Sequence, residues 1–288
     1  MKVGMAQLLV EGTEPERNFQ RAHKLIKEAS EKQCQLVLLP ETIDFAWTHP
    51  NALRESQPIP GPYSDLFCEY AKHYGLYICV GLTEKVEGKL NYNTAILINE
   101  KGNIILKHRK INLLEVEFPY YEVGNKLEVV DTPFGKIGVN ICADNYIEAT
   151  ALGHALARMG AQILLSPSSW TVDYNITEED EPYHDKWVKP LGLLASLYNM
   201  VVISTTSVGY IVGGPYEGKK MVGCSLAMDK NGILKKGLFN EFAGVLEEVE
   251  FDVPLRREKG TLIGEMLRRK GYHFDDDQLY TLRNYRCS

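Results

Sequence analysis

Between residues 34 and 41 the chain reads CQLVLLPE, an unbroken apolar run closed by proline. Such a run lacks the alternation of a half-exposed strand and predicts one buried on both faces, with parallel or sheet-central neighbours. Before it, KVGMAQLLV (2–10) predicts a strand, and residues 13–33 place Phe19, Ala22, Leu25, Ile26 and Ala29 at helical spacing. The pattern continues with a helix over 62–74, a strand over 76–86, and a hairpin of 91–100 and 103–110 turning at Lys101–Gly102. Strands at 126–132 and 135–142 flank the turn Pro133–Phe134–Gly135. A helix at 147–160 closed by Gly160 then leads into a strand at 161–168. Residues 182–199 predict a helix that Pro190 can kink, and the last strands fall in 200–211, 223–237 and 243–253. No Pro-, Gly- or Ser-rich linker interrupts this series, which predicts one α/β domain with strands of mixed direction and helices outside.

Composition sharpens the picture. With 288 residues, 44% hydrophobic and 24% charged, the chain has the balance of an ordinary folded protein. A net charge of -6 argues against a nucleic-acid partner, which needs a basic face to displace counterions, and favours a small molecule. No apolar stretch approaches the ~20 residues that span a bilayer, and the N-terminal residues turn polar too early for a secretory signal. The expectation is a cytoplasmic protein without membrane association. Cys34, Cys68, Cys79, Cys142, Cys224 and Cys287 show no short paired spacing, and the seven histidines lack ligand spacing, which argues against a metal site; the expectation is an enzyme without a cofactor.

Three positions break the apolar pattern in the same way. Glu41 in LVLLPE, Lys110 in ILKHRK and Cys142 in VNIC each appear at or just past the tip of a predicted strand. Strand ends are where α/β folds collect sites, so the three side chains can converge. Chemistry supplies a reason: a thiol with pKa about 8.5 needs a base or cation to become a nucleophile, and an ammonium can stabilise the oxyanion that its attack creates.

Together these segments resemble the nitrilase, or carbon–nitrogen hydrolase, superfamily. Its signature is a Glu after an apolar strand and Pro, a Lys in an Arg-Lys context, and a Cys at a strand end. GAQILLSPSSW (160–170) and NYNTAILINEKGNIILKHRK (91–110) are also similar to family segments, so the resemblance spans residues 2 to 250. It implies a four-layer α-β-β-α sandwich over residues 1–255, pairing into homodimers or larger assemblies through outer helices. A tail over 256–288 would lie at a possible subunit interface. It also implies a Cys142 nucleophile, Glu41 as proton carrier, Lys110 with the Ala143 N–H at the oxyanion, and a second glutamate drawn from Glu115, Glu117 and Glu122, with Glu117 favoured.

The resemblance implies hydrolysis of an amide or N-carbamoyl amine with release of ammonia; the alternatives are a nitrilase, or a non-catalytic binding protein that retains the fold. Nitrile-hydrolysing members typically follow the cysteine with Trp-Glu, whereas Ala143-Asp144 is nearer the amidase ending. Residues 145–149 contain no arginine to pair a carboxylate, which favours a neutral or cationic substrate. Asp144, Asn145, Tyr146, Trp170 and Tyr92 are expected at the substrate, with Phe45 and Trp47 near the mouth. The acidic stretch 178–187 is either an amine-attracting rim or a solvated helix start.

Overall fold

Alternation along β1 (Lys2–Gln7) sends Val3 and Met5 to one face and Ala6 to the other, and this division runs through the whole first sheet. A computed structural model describes residues 1–181, 183–239 and 244–255. They belong to a compact unit, Met1–Arg256. The expected tail at 256–288 lies outside the described residues.

The first sheet continues with β2 (Leu36–Leu38), β3 (Tyr77–Glu84), β4 (Tyr92–Ile98) and β5 (Ile104–Arg109). The second contains β6 (Val129–Thr132), β7 (Gly135–Val139), β8 (Ile163–Ser168) and, after the short β9 (Thr171–Val172), β10 (Val201–Thr206). Beyond β11 (Val208–Tyr210) and β12 (Lys220–Val222), β13 (Leu226–Asp229) and β14 (Gly232–Lys236) complete it, while β15 (Val245–Glu250) returns to pair antiparallel with β1. The strand orders are β15-β1-β2-β3-β4-β5 and β14-β13-β10-β8-β7-β6, with a small third sheet β11-β12-β9.

Leu36 and Leu38 face Ile163, Leu165 and Ile203 in the core between the two sheets, while Val37 and Leu39 face outward. There they meet Phe19, Ala22 and Ile26 of α1 (Pro15–Glu31). After the short α2 (Ala52–Glu55), α3 (Pro62–Tyr74) covers the same face with Phe67 and Ala71. On the far side, α4 (Ala151–Arg158) and α5 (Lys189–Tyr198) bury Leu156, Leu191 and Leu194 against the second sheet. The expected α-β-β-α layering is therefore the fold. Burial of such side chains contributes about 1.5–3 kcal/mol each, the main stabilising term.

Strand direction places the site. β1, β2 and β3 are parallel, and two antiparallel steps make β5 run the same way; β7, β8 and β10 are likewise parallel. At their C-terminal ends the Glu41 N–H donates to the Ser168 carbonyl across the sheets at 3.3 Å.

Three expectations need correction. Residues 182–199 do not form one kinked helix: Pro190 stands in the first turn of α5, and a wider turn, His184–Val188, precedes it. Lacking an N–H and crowding the carbonyl four residues back, proline cannot continue a regular ladder, and the Lys189 N–H reaches His184 instead. Strand 200–211 divides after Thr206, its second part joining the small sheet. The helix expected over 147–160 narrows to α4 behind a tight turn at Ile147–Ala149. No described helix is long and apolar enough to cross a membrane.

Candidate active site

Glu41 follows β2 through Leu39 and Pro40, and the backbone here presses directly on β3. A Cβ on Gly81 would stand 2.6 Å from the Glu41 Cα and 2.8 Å from both Pro40 O and Thr42 N, so only glycine permits this approach. Thr42, Ala46 and Trp47 then take positive φ values of 40°, 50° and 52°, a strained run held by the Trp47 N–H on Thr42 Oγ1 at 2.7 Å.

Lys110 sits one residue beyond β5, where Leu106 and His108 are also buried, as the period of two requires. Its N–H donates to Asn93 O and its carbonyl accepts from Gly124 N–H, both at 2.8 Å. A side chain on Gly124 would put Cβ 2.0 Å from Arg109 O. Glu117 closes a short turn after Lys110, and its Oε2 accepts the Leu114 N–H at 2.8 Å.

These segments bring two carboxylates onto one ammonium. Lys110 Nζ is 2.9 Å from Glu41 Oε1 and 2.9 Å from each Glu117 oxygen, and all three side chains are fully buried. Asn93 Nδ2 donates to Glu41 Oε1 at 2.6 Å and to Glu117 Oε1 at 3.3 Å, while Trp47 Nε1 donates to Glu117 Oε1 at 2.7 Å. Breaking a buried pair of this kind costs about 3–5 kcal/mol. Glu115 is exposed and Glu122 half-exposed, leaving Glu117 as the candidate that faces Lys110. Glu41 Oε2 is buried without a hydrogen-bond partner.

Cys142 lies beyond β7 at the start of a tight turn, Cys142–Asn145, with φ of 43° and 4% exposure. Its N–H donates to Ser166 Oγ at 3.2 Å, and the Ser169 N–H donates to the thiol. Burial pushes the Cys142 thiol well above its ordinary range and Glu41 adds to the push, while Lys110 pulls against them. Burial likewise raises the Glu41 carboxyl despite the pull of Lys110. Burial opposes the Lys110 charge, but Glu117 and then Glu41 outweigh it and hold the ammonium well above the usual lysine range. Burial and Glu41 thus favour the neutral form of the Cys142 thiol, the two acids favour the charged form of Lys110, and Glu41 Oε2 has no hydrogen-bond partner.

The other expected residues divide. Ala143 is buried directly after Cys142. Tyr146 packs on Trp187 at 5.1 Å between ring centroids, and its phenol, raised first by burial, is raised next by Cys142. Trp170 stacks on Trp187 at 4.4 Å and 11°, and its Nε1, like Ser169 Oγ, is buried without a partner. Asp144 and Asn145 do not stand as free substrate contacts. The Asp144 carboxylate is taken up by His108 and three backbone N–H groups, and Asn145 pairs with Asn140 and Ser166. Tyr92 is covered by the Arg109 guanidinium, 3.9 Å from its ring centroid. Phe45 is fully buried against Tyr63.

Asn93, Ser166 and Ser169 escaped the sequence reading. Asn93 carried a usable signal, since it is a polar residue on an otherwise buried strand. The acidic stretch borders an open cleft of about 830 Å³ lined by Thr177, Glu178, Glu179, Glu181, Tyr183 and Lys236. None of Glu41, Lys110, Glu117 or Cys142 lines it, and Lys236 pairs with Glu178 at 3.3 Å. Among the described residues no group of three or more His, Cys, Asp or Glu side chains is placed to hold a metal ion.

Known proteins share this arrangement of chain and fold. The sequence profile of the carbon-nitrogen hydrolase family matches residues 2–252. Omega-amidase NIT2-A of Xenopus laevis is 33% identical over 216 residues, covering 72% of this chain and 74% of its own length. A nitrilase of Pyrococcus abyssi is 35% identical over 179 residues, 60% of this chain and 67% of its own. Among solved structures, a carbon-nitrogen hydrolase of Helicobacter pylori G27 superposes with a TM-score of 0.76 at 21% identity, covering 87% of this chain and 89% of that one. An amidase of Nesterenkonia sp. AN1, captured with acrylamide added at its active-site cysteine, gives a TM-score of 0.75 at 17% identity over 94% and 100% of the two chains.

Proposed function

Since this chain belongs to the carbon-nitrogen hydrolase family and is a hydrolase, we propose that it hydrolyses a small-molecule amide through a thioester on Cys142. The observation that carries the reading is the buried Glu41–Lys110–Glu117 ion cluster acting electrostatically on the Cys142 thiol.

Glu41 Oε2 accepts the thiol proton as sulfur attacks the carbonyl carbon. The oxyanion that forms is met by the Lys110 ammonium and the Ala143 N–H, and removing one donor of such a pair typically costs about 3–4 kcal/mol of transition-state stabilisation. Collapse breaks the C–N bond, and Glu41 passes its proton to the departing ammonia. Water, deprotonated by Glu41, then attacks the thioester; the C–S bond breaks, the acid leaves, and Glu41 returns the proton to the Cys142 thiolate. Glu117 touches neither bond. It holds Lys110 in place and keeps it charged. Tyr146, whose phenol responds to Cys142, and Trp170, which stacks on the same Trp187, would flank the acyl group, with the unpartnered Trp170 Nε1 and Ser169 Oγ as donors to it.

Amide over nitrile is supported by the Ala143-Asp144 ending and by the omega-amidase relative, whereas the Pyrococcus nitrilase supports the nitrile reading. Incubating wild type and Cys142→Ala with amides, carbamoyl amines and nitriles, while following ammonia and carbon dioxide, separates them. Ammonia from amides alone is expected. Carbon dioxide would mark a carbamoylase, turnover of nitriles alone a nitrilase, and equal turnover by the variant would remove Cys142 as nucleophile.

A further inference from the structure

Asp144 stands two residues after Cys142, yet its fully buried carboxylate is directed at the lysine segment. Oδ1 accepts the N–H groups of Ile111 at 3.2 Å and Asn112 at 2.7 Å. Oδ2 accepts the Ile141 N–H at 3.0 Å and lies 2.9 Å from His108 Nε2. Because a carboxylate at this site only accepts, the network assigns the proton to Nε2 of the imidazole. A second strut runs beside it, from Asn112 Nδ2 to Ala143 O at 2.7 Å.

The sequence positions give this network its meaning. His108 precedes Lys110 by two residues, Ile111 and Asn112 follow it directly, and Ile141 immediately precedes Cys142. One side chain thus holds the lysine segment from both sides and binds it to the cysteine turn. Four donors saturate the carboxylate, leaving it nothing to offer a substrate. His108 is 1% exposed at an inward position of β5, and a side chain without a donor there would leave Asp144 a donor short. The turn it braces includes Cys142 at positive φ, a conformation that persists only when its surroundings enforce it.

We propose that the clamp centred on Asp144, closed by His108 and Asn112, sets the position of Lys110 relative to Cys142 and so acts on the reaction without touching substrate. The inference rests on the assignment of Cys142 and Lys110 above. Small displacements of reacting groups are costly, about a hundredfold in rate for a misplacement near 1 Å.

The test measures kcat, KM and thermal midpoint for wild type, His108→Leu, His108→Gln and Asn112→Ala on an amide the wild type turns over. His108→Leu is expected to lower kcat by about ten- to a hundredfold with KM unchanged. His108→Gln, which restores a donor near the Nε2 position, should recover most of kcat, and Asn112→Ala should show a smaller loss in kcat alone. A folded His108→Leu with wild-type kcat overturns the proposal, as does a loss confined to KM. Should that variant not fold, wild-type kcat in the half-buried Asn112→Ala overturns it. Turnover by Cys142→Ala would instead remove the nucleophile assignment beneath it.

Discussion

Glu41 has one carboxylate oxygen bonded to Lys110 and Asn93 and the other open. Glutamine can keep the bonded oxygen while replacing the open one with an amide nitrogen that accepts no proton. Glu41→Gln is therefore expected to keep the wild-type far-UV spectrum while kcat for ammonia release falls by about 10² to 10⁴. Retained activity would move the base elsewhere. At this scale the sequence was informative where a residue type contradicted its pattern: an acid, an amine and a thiol at the ends of apolar strands. It misled where the residue type fitted two roles. Asp144 has the chemistry to touch a substrate, but four donors occupy its carboxylate. Whether a polar group is free depends on neighbours distant in sequence.

The element that carries Glu41 depends on a residue of β3 with no side chain. Adding one methyl at Gly81 places Cβ within 2.8 Å of three backbone atoms of the Pro40–Thr42 segment, none of which can swing aside as a flexible side chain would. Gly81→Ala should lower stability by about 1–3 kcal/mol in denaturant unfolding. It should also reduce kcat by about a hundredfold, because Glu41 moves with its backbone. A stability loss with intact kcat would show that the segment yields without moving its carboxylate. Element identity was largely legible: α3 occupies the expected residues 62–74, and the hairpin of β4 and β5 turns where Lys101–Gly102 marked it. Periodicity misjudged 182–199, because the apolar spacing continues across Pro190 whereas the backbone ladder cannot.

For the molecule as a whole, buried acids give folding a pH dependence. Asp44 lies under β3, bonded to Thr83 N–H at 2.7 Å and Thr83 Oγ1 at 3.1 Å, and burial, only partly offset by these bonds, raises its pKa from 3.8 to about 6. The folded state thus holds this proton more tightly than the unfolded chain. This contribution to stability is complete below the unfolded pKa and is lost as pH rises through about 6, on the order of 3 kcal/mol. Asp44→Asn should flatten the fall in unfolding free energy between pH 4 and 6, measured by denaturant titration across that range. An unchanged slope would place the proton uptake on another group. The sequence by itself determined the period of most strands and helices, and the acid, amine and thiol that stand at strand tips. These follow from local chemistry: which side chains shun water, which cannot join a ladder, and which can move a proton. Only the tertiary structure decided that the C-terminal ends of the two sheets meet where Glu41 binds Ser168, and that Asp144 joins the lysine segment to the cysteine turn. The physical reason is that these contacts join residues tens to more than a hundred positions apart, and burial gives a carboxylate or thiol its partners and charge only after those residues have met.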